Sequence, residues 1–173
     1  MVYAVLADDL SGACDAGVEF ACRGVRTIAW MAGRQPSLDA DVHVLDTGSR
    51  GLRGGEATDA VRQVARLIKQ RDLALIYKKI DSTLKGPVRA EIEALLASVP
   101  AQRVVVTPAN PLMARIVKDG RLFVRGLEPQ PPVDMAALLA GPDAMHVAIA
   151  GAIGPALAAG ARIVSCDAAT PED

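Results

Sequence analysis

In Val2-Tyr-Ala-Val-Leu-Ala-Asp-Asp-Leu-Ser-Gly12, a continuous apolar run ends abruptly at two aspartates. A short run without polar alternation is typical of a strand that is buried on both faces of a sheet. Apolar residues then recur at helical spacing from about Ser11 to Arg23, and Gly24 supplies a stop signal. The segment therefore predicts a buried strand, Val2–Ala7, that is followed directly by a helix.

Strand and helix patterns alternate along most of the remaining chain. The predicted strands are Val25–Met31, Val42–Leu45, Leu73–Tyr77 and Arg103–Val106, and the predicted helices are Gly54–Gln70 and one through Val88, Ile92 and Leu95. Neighbouring parallel strands need crossover connections, which such helices provide. The alternation therefore favours an α/β fold with a mainly parallel sheet and helices on both faces.

The last third of the sequence departs from this rhythm. Gly120–Gly126 has the pattern of one arm of a short hairpin near residues 120–127, and the proline-rich segment Pro129–Pro132 follows it. A last strand-and-helix unit spans His146–Cys166. Because a domain typically has roughly 100–200 residues, we expect residues 1–173 to form a single α/β substrate-binding domain.

Charge and hydropathy narrow the class of partner. The formal net charge is −1, with acidic and basic residues in balance, so no long-range field would attract nucleic acid or an anionic membrane. The uncharged stretch Ala144–Ala161 is mostly Ala and Gly with Pro155 in its middle, which fits a strand, turn and helix better than a membrane span. We therefore expect a small-molecule partner, and neither nucleic acid nor a membrane.

The cysteines and histidines give no metal signature. Cys14, Cys22 and Cys166 form no CxxC pair and have no zinc-ligand spacing with His43 or His146. We interpret the three cysteines as buried apolar fillers, a usage that fits a reducing cytoplasm, and we expect no metal site.

Polar side chains cluster where the predicted strands end. They are Asp8 and Asp9, the segment Asp46–Arg50, the segment Lys78–Ser82, and Thr107. If the sheet is parallel, these residues share one rim, and open α/β sheets bind ligands at that rim. This clustering is the strongest indication of a site that the residues give by themselves.

Two of these groups suit a hydroxylated acid. One of the paired aspartates can cap the following helix while the other faces a ligand hydroxyl; the alternative is that both are capping or solvated acids. Asp46-Thr-Gly-Ser-Arg50 combines a carboxylate, hydroxyls and a guanidinium, and Arg50 can bind a carboxylate in bidentate fashion. The alternative for this second segment is a surface turn.

The lysine pair adds basic groups to the same rim. Lys78 and Lys79 are adjacent on a strand and point to opposite faces, so at most one of them enters the site. Ser82-Thr83 is predicted to open the next helix, where free N–H groups can meet an anion. Neither GxxxxGK[ST] nor GxGxxG occurs, so we expect no nucleotide site within this sequence.

Three motifs in this order carry a family resemblance. They are Ala7-Asp-Asp-Leu-Ser-Gly-Ala-Cys-Asp-Ala-Gly17, Asp46-Thr-Gly-Ser-Arg50 and Tyr77-Lys-Lys-Ile-Asp-Ser-Thr-Leu-Lys-Gly86. Together they resemble the N-terminal domain of the four-carbon acid sugar kinases, which include 3-oxo-tetronate, threonate and erythronate kinases. The resemblance weakens after Thr107. The sequence departs from the family pattern at Ser11 for Thr, at Gly48 for an acid, and at Ala114 for Gly.

The resemblance implies a reaction and a set of residues. In this family a terminal hydroxyl of a tetronate attacks the γ-phosphoryl group of ATP, with Mg²⁺ on the nucleotide, and catalysis is mostly positioning and charge neutralisation. On that reading Asp9 is catalytic, Arg50 and a lysine bind the substrate carboxylate, and the other groups contact hydroxyls. The implied substrate-binding residues are Asp8, Asp46, Ser49, Arg50, Lys78, Lys79, Asp81 and Ser82.

In that family the chain continues into a separate ATP-binding domain, whereas this sequence ends at Asp173. We therefore expect a truncated form that is inactive alone, with ATP and Mg²⁺ held by a separate domain or chain. A second copy of the same chain is a further candidate partner. Two alternatives stay open: a non-catalytic module that binds a sugar acid or a partner, and an α/β domain left by a decayed gene.

Overall fold

A four-stranded parallel sheet forms the centre of the first of two compact units into which the chain divides. The computed structural model describes residues 2–34, 39–69, 73–99, 103–125 and 131–173. The first unit comprises Met1–Asp81 with Lys85–Pro100, and the second comprises Ser82–Leu84 with Ala101–Asp173. The single domain over residues 1–173 stays a prediction.

The first sheet contains β1 (Val2–Ala7), β2 (Thr27–Trp30), β3 (Val42–Asp46) and β4 (Leu73–Lys79), in the spatial order β2-β3-β1-β4. All of its pairings are parallel, and Leu6 of β1 lies opposite Leu45 on one side and Lys78 on the other. The strand β4 is longer than predicted, because it includes both lysines of the pair. Since β1 is central, the residues that follow it lie between the ends of β3 and β4.

Three helices cover this sheet, namely α1 (Leu10–Ala21), α2 (Gly55–Lys69) and α3 (Val88–Ser98). Successive residues of a strand point to opposite faces. Val5 therefore packs in a core cluster with Ala13 of α1, while Leu6 packs in the other cluster with side chains of α2 and α3. Burying a leucine such as Leu6 contributes about 2 kcal/mol. The predicted α/β fold, with helices on both faces of a parallel sheet, is confirmed.

The helix α3 begins later than predicted. Ser82-Thr83 forms a turn, and α3 starts at Val88, directly after Pro87. The prediction that this Ser-Thr pair opens the helix is wrong, because the chain adopts left-handed φ values at Leu84 (59°) and Gly86 (92°). Residues in that conformation cannot continue a right-handed helix.

The second unit contains two small sheets. A parallel sheet has the order β5-β10-β9, and an antiparallel sheet has the order β6-β7-β8. The strands and helices of this unit are β5 (Val104–Val106), β6 (Arg115–Lys118), β7 (Arg121–Val124), β8 (Val133–Asp134), α4 (Met135–Leu139), β9 (Ala144–Val147), α5 (Ile153–Ala158) and β10 (Ile163–Cys166).

The predicted hairpin is present as β6 and β7, which pair antiparallel with Lys118 opposite Arg121. Residues 126–130 of the predicted hairpin and proline-rich segments lie outside the described residues. The predicted common rim is wrong for Thr107, because the strand that precedes it, β5, belongs to the second sheet. Short strands of both sheets carry the same apolar signal, so the sequence pattern did not separate them.

The uncharged stretch Ala144–Ala161 forms β9 and α5, as predicted. None of the described helices is long and apolar enough to cross a membrane. The interpretation of the cysteines as buried fillers is correct for Cys166 and wrong for Cys14 and Cys22, which are exposed.

Ala114 has a left-handed backbone conformation, with φ 55° and ψ 35°. An L-residue in this region costs about 1–2 kcal/mol, whereas glycine loses about 0.5–1 kcal/mol of extra chain entropy. We therefore expect Ala114→Gly to raise the free energy of unfolding by about 0.5–1 kcal/mol. Urea denaturation measures this change. The control is Ala140→Gly, where φ is −59° and glycine should destabilise, and equal effects of both substitutions would contradict the prediction.

Candidate functional site

The carboxyl ends of three strands meet at one edge of the first sheet. Ala7, the last residue of β1, lies opposite Asp46 of β3 and opposite Lys79 of β4. Because the strands are parallel, the residues that follow each of them lie at the same edge. The predicted polar segments of the first unit therefore come together there.

A single guanidinium joins the acids at this edge. Arg50 donates from Nε to Asp8 Oδ2 (2.8 Å), from Nη2 to Asp8 Oδ1 (3.0 Å), and from Nη1 to Asp9 Oδ2 (2.5 Å). A third carboxylate, Asp81, has Oδ1 3.6 Å from Nη2. The hydrogen bonds that Arg50 donates to Asp8 raise the pKa of Arg50 above its ordinary value, and burial opposes this shift. The guanidinium is thus held mainly by protein carboxylates.

The two aspartates after β1 differ in their access to solvent. The side chain of Asp8 is 2% exposed, and both of its oxygens accept from Arg50, whereas the side chain of Asp9 is 28% exposed. Asp9 is also the N-cap of α1, since its Oδ1 accepts the N–H of Gly12 at 2.7 Å. A Cβ on Gly12 would lie 2.9 Å from that oxygen, so glycine permits the close approach. Asp9 is therefore the carboxylate of the pair that a ligand can reach.

Backbone hydrogen bonds fasten the loop after β3 to the end of β1. Thr47 N donates to Ala7 O at 2.9 Å, and Arg50 N donates to Asp8 O at 3.1 Å. Asp46 is 8% exposed and accepts the N–H of Gly48 at 2.7 Å.

Gly48 has φ +62°, and a Cβ there would lie 3.2 Å from Cβ of Ala32. The glycine at this departure from the family pattern therefore suits a left-handed position with little space beside it.

A buried series of hydrogen bonds links the loop after β3 to α3. The side chains of Ser49 and Glu91 hydrogen-bond at 2.5 Å, and Ser49 Oγ also lies 2.7 Å from Thr47 Oγ1. Lys78 Nζ lies 2.8 Å from the second oxygen of Glu91, and the two side chains are 4% and 2% exposed. Lys78 and Ser49 are thus committed to partners inside the protein.

Glu91 was not predicted from the sequence, and Thr47 was predicted only as a hydroxyl of the segment Asp46–Arg50. The signal for Glu91 was an acid within the apolar stripe formed by Val88, Ile92 and Leu95 of α3, all of which are buried. A charge on the buried face of a helix requires a partner, and the lysine pair stands shortly before it in the sequence.

Lys79 points away from Lys78, as the alternation along a strand predicts. Its Nζ donates to the carbonyl of Ile80 at 2.9 Å. The same side chain runs beside the first turn of α1, because a Cβ on Gly12 would lie 3.8 Å from Nζ. The ammonium group of Lys79 is therefore near the helix N-terminus that Asp9 caps, where the partial charge is also positive.

Two residues of the segment after β4, Asp81 and Gly86, lie close to Arg50. Asp81 Oδ2 accepts the N–H of Lys85 at 3.1 Å. Gly86 has φ +92°, and a Cβ there would lie 3.2 Å from the carbonyl oxygen of Arg50. Ser82, a predicted binding residue, belongs to the second unit.

The structure thus gathers Asp8, Asp9, Arg50, Lys79 and Asp81 at one edge. Among the described residues, no group of three or more His, Cys, Asp or Glu side chains is arranged to hold a metal ion. The sequence also lacks the common phosphate-binding loops. The carboxylates of Asp8 and Asp9 are engaged by Arg50, and we assign none of these residues to a nucleotide or its Mg²⁺.

This parallel α/β sheet, with acids and cations at its carboxyl edge, defines a small-molecule-binding domain. Residues 3–137 match the family described as the sugar-binding N-terminal domain. The chain belongs to the four-carbon acid sugar kinase family, of which it represents the N-terminal domain.

Curated relatives and a solved structure agree with this assignment. The chain is 35% identical to a D-threonate kinase of Salmonella typhimurium over 73% of this chain and 30% of that protein. It is 32% identical to a D-erythronate kinase of Heliobacterium modesticaldum over 98% of this chain and 45% of that protein. The chain therefore spans less than half the length of these relatives.

The solved structure is that of a Bordetella bronchiseptica domain of unknown function, crystallised as a domain-swapped dimer with bound citrate. It superimposes with a TM-score of 0.83 at 30% identity, covering 99% of this chain and 49% of that one.

Proposed function

We propose that this chain binds a four-carbon sugar acid at the carboxyl edge of its first sheet, as the substrate-binding part of an ATP-dependent kinase. The observation that carries the proposal is the cluster in which Arg50 bridges Asp8 and Asp9 beside the ammonium group of Lys79. Carboxylates accept hydrogen bonds from sugar hydroxyls, and an ammonium group binds a carboxylate. Both halves of a sugar acid therefore have complementary groups at this edge.

Lys79 is the cation that we assign to the ligand carboxylate. Lys78 is neutralised by Glu91, and the guanidinium of Arg50 is engaged by Asp8 and Asp9. The ammonium group of Lys79 donates to a backbone carbonyl and lies beside the N-terminus of α1, where an anion is favoured. Arg50 then serves the site by holding Asp9 in place.

Asp9 is the residue that we assign to the reacting hydroxyl. Its side chain is partly exposed, and its orientation is fixed by Gly12 and Arg50. In phosphoryl transfer the hydroxyl oxygen bonds to the γ-phosphorus, the bond to the departing diphosphate breaks, and a carboxylate accepts the hydroxyl proton. Asp81 and Asp46, both predicted from the family resemblance, contribute further hydroxyl contacts in this proposal.

The nucleotide and a second copy of the chain are the proposed partners. ATP with Mg²⁺ supplies the phosphoryl group from a separate domain or chain, in the cytoplasm, and residues 1–173 bind the sugar acid. Calorimetry tests the proposal with D-threonate and D-erythronate, using the neutral tetritols threitol and erythritol as controls. Binding of an acid, and not of its tetritol, supports the proposal. Failure of both acids to bind would refute it.

Lys79→Met removes the ammonium group while keeping much of the side-chain volume. We expect it to weaken D-threonate binding about 10–100-fold, because a charge-assisted hydrogen bond contributes about 1.5–3 kcal/mol. Calorimetric titration measures the change. The matched control is Lys118→Met on the exposed side of β6, which should leave the affinity unchanged. Equal affinities for Lys79→Met and the wild type would assign the carboxylate to another group.

A further inference from the structure

We infer that Glu91 is a positioning residue, which holds the loop of Thr47 to Arg50 through Ser49 and so places Arg50 between Asp8 and Asp9. The consequence for ligand binding rests on the proposed function. The geometry itself can be tested without any ligand.

The burial of Glu91 determines which groups its carboxylate can contact. Its side chain is 2% exposed, and its two oxygens are taken by Ser49 and Lys78. A buried carboxylate is tolerated only when it is paired and hydrogen-bonded. Glu91 therefore acts through its neighbours rather than on a ligand.

The number of hydroxyl protons shows which hydrogen bonds Glu91 can order. Ser49 and Thr47 each carry one hydroxyl proton, and an ionised carboxylate only accepts. Ser49 donates to Glu91 at 2.5 Å, whereas the single proton of Thr47 can go either to the carbonyl oxygen of Ala7 at 2.9 Å or to Ser49 Oγ at 2.7 Å. Glu91 is thus the acceptor that orders the hydroxyl of Ser49.

The position of Ser49 connects its hydrogen bond with Glu91 to the cluster that Arg50 forms with the two aspartates. Ser49 directly precedes Arg50, whose backbone N–H donates to Asp8 O. On the other side Gly86, two residues before α3, packs against the carbonyl of Arg50. The backbone of Arg50 is therefore located by β1, by Gly86 and, through Ser49, by Glu91. Loss of the Ser49 contact should loosen Arg50 without removing any group that meets a ligand.

The test compares two double variants that both lack the buried charge pair. Lys78→Met/Glu91→Gln keeps an oxygen that accepts from Ser49, and Lys78→Met/Glu91→Leu does not. The readout is the solvent exchange rate of the Arg50 Nε–H, which Asp8 protects, measured by NMR. We expect exchange to be at least about tenfold faster in the leucine variant, because a looser loop opens more often. Equal exchange rates would overturn the inference, since Ser49 would then have found another acceptor without moving Arg50.

A single substitution guards against a double variant that does not fold. Ser49→Ala leaves the pair of Lys78 and Glu91 intact, and should also accelerate the exchange at Arg50. The control is Ser98→Ala, which removes a hydroxyl from the far end of α3 and should have no effect on the exchange. Unchanged protection of Arg50 in Ser49→Ala would overturn the inference independently.

Ligand binding separates this inference from the proposed function. We expect D-threonate to bind at least about tenfold more weakly to the leucine variant than to the glutamine variant. If the wild-type chain binds no D-threonate while the exchange rates differ as expected, the proposed function is refuted and the role of Glu91 stands. If the wild type binds D-threonate and the exchange rates are equal, the proposed function stands and the role of Glu91 is refuted.

Discussion

Glu91→Leu is expected to lower the free energy of unfolding by about 3–5 kcal/mol, because it leaves the ammonium group of Lys78 buried without its carboxylate. The 2.8 Å pair lies almost wholly out of solvent, so water cannot replace the lost partner. The substitution also takes the acceptor from Ser49. Urea denaturation monitored by circular dichroism measures the loss.

Adding Lys78→Met to Glu91→Leu should restore most of this stability. Replacing a buried ion pair by apolar residues of similar volume is often neutral or stabilising by about 1–4 kcal/mol, since neither charge then needs a partner. The control is Glu93→Leu on the same helix, whose pair with Arg89 is partly exposed and should contribute at most about 1 kcal/mol. If Glu91→Leu and Glu93→Leu lower the free energy of unfolding equally, burial does not increase the contribution of the Glu91 carboxylate to stability.

The first strand and helix were predictable because local and global preferences agree there. The run that ends at Ala7 is apolar throughout, Asp9 is a good N-cap residue, and the structure uses both in this way. The convergence of Asp9, Arg50 and Lys79 was also predictable, since parallel strands bring their carboxyl ends to one edge. These features need only the period of the pattern and the direction of the strands.

Other features depend on contacts that a sequence pattern does not carry. Leu84 has φ 59°, a conformation that its residue type disfavours, so the delayed start of α3 could not be foreseen from propensity. The second sheet escaped prediction because β5 gives the same signal whichever strand it pairs with. The different roles of Lys78 and Lys79 depend on Glu91, which pairs with Lys78 in the folded protein and stands thirteen residues later in the sequence.

Arg50→Ala is expected to lower the free energy of unfolding by about 3 kcal/mol and to abolish binding of D-threonate. Asp8 is buried and loses a bidentate partner, and leaving such a carboxylate unpaired costs about 3–5 kcal/mol when the pair is fully buried. The side chain of Arg50 is 28% exposed, so water offsets part of that cost. Binding fails because Asp9 then loses the hydrogen bond with Arg50 that, together with the N–H of Gly12, orients its carboxylate.

Arg50→Lys tests whether charge or shape carries this effect. A lysine keeps the positive charge but cannot donate to both oxygens of Asp8 while reaching Asp9, so it should recover only about half of the lost stability. The control is Arg62→Ala, whose surface pair with Asp59 should contribute less than about 0.5 kcal/mol. Full recovery of both stability and binding by lysine would mean that positive charge alone organises the two aspartates. A loss no greater than that of Arg62→Ala would mean that solvent already satisfies Asp8, and the edge of the sheet would then have no fixed arrangement of acids for a ligand to meet.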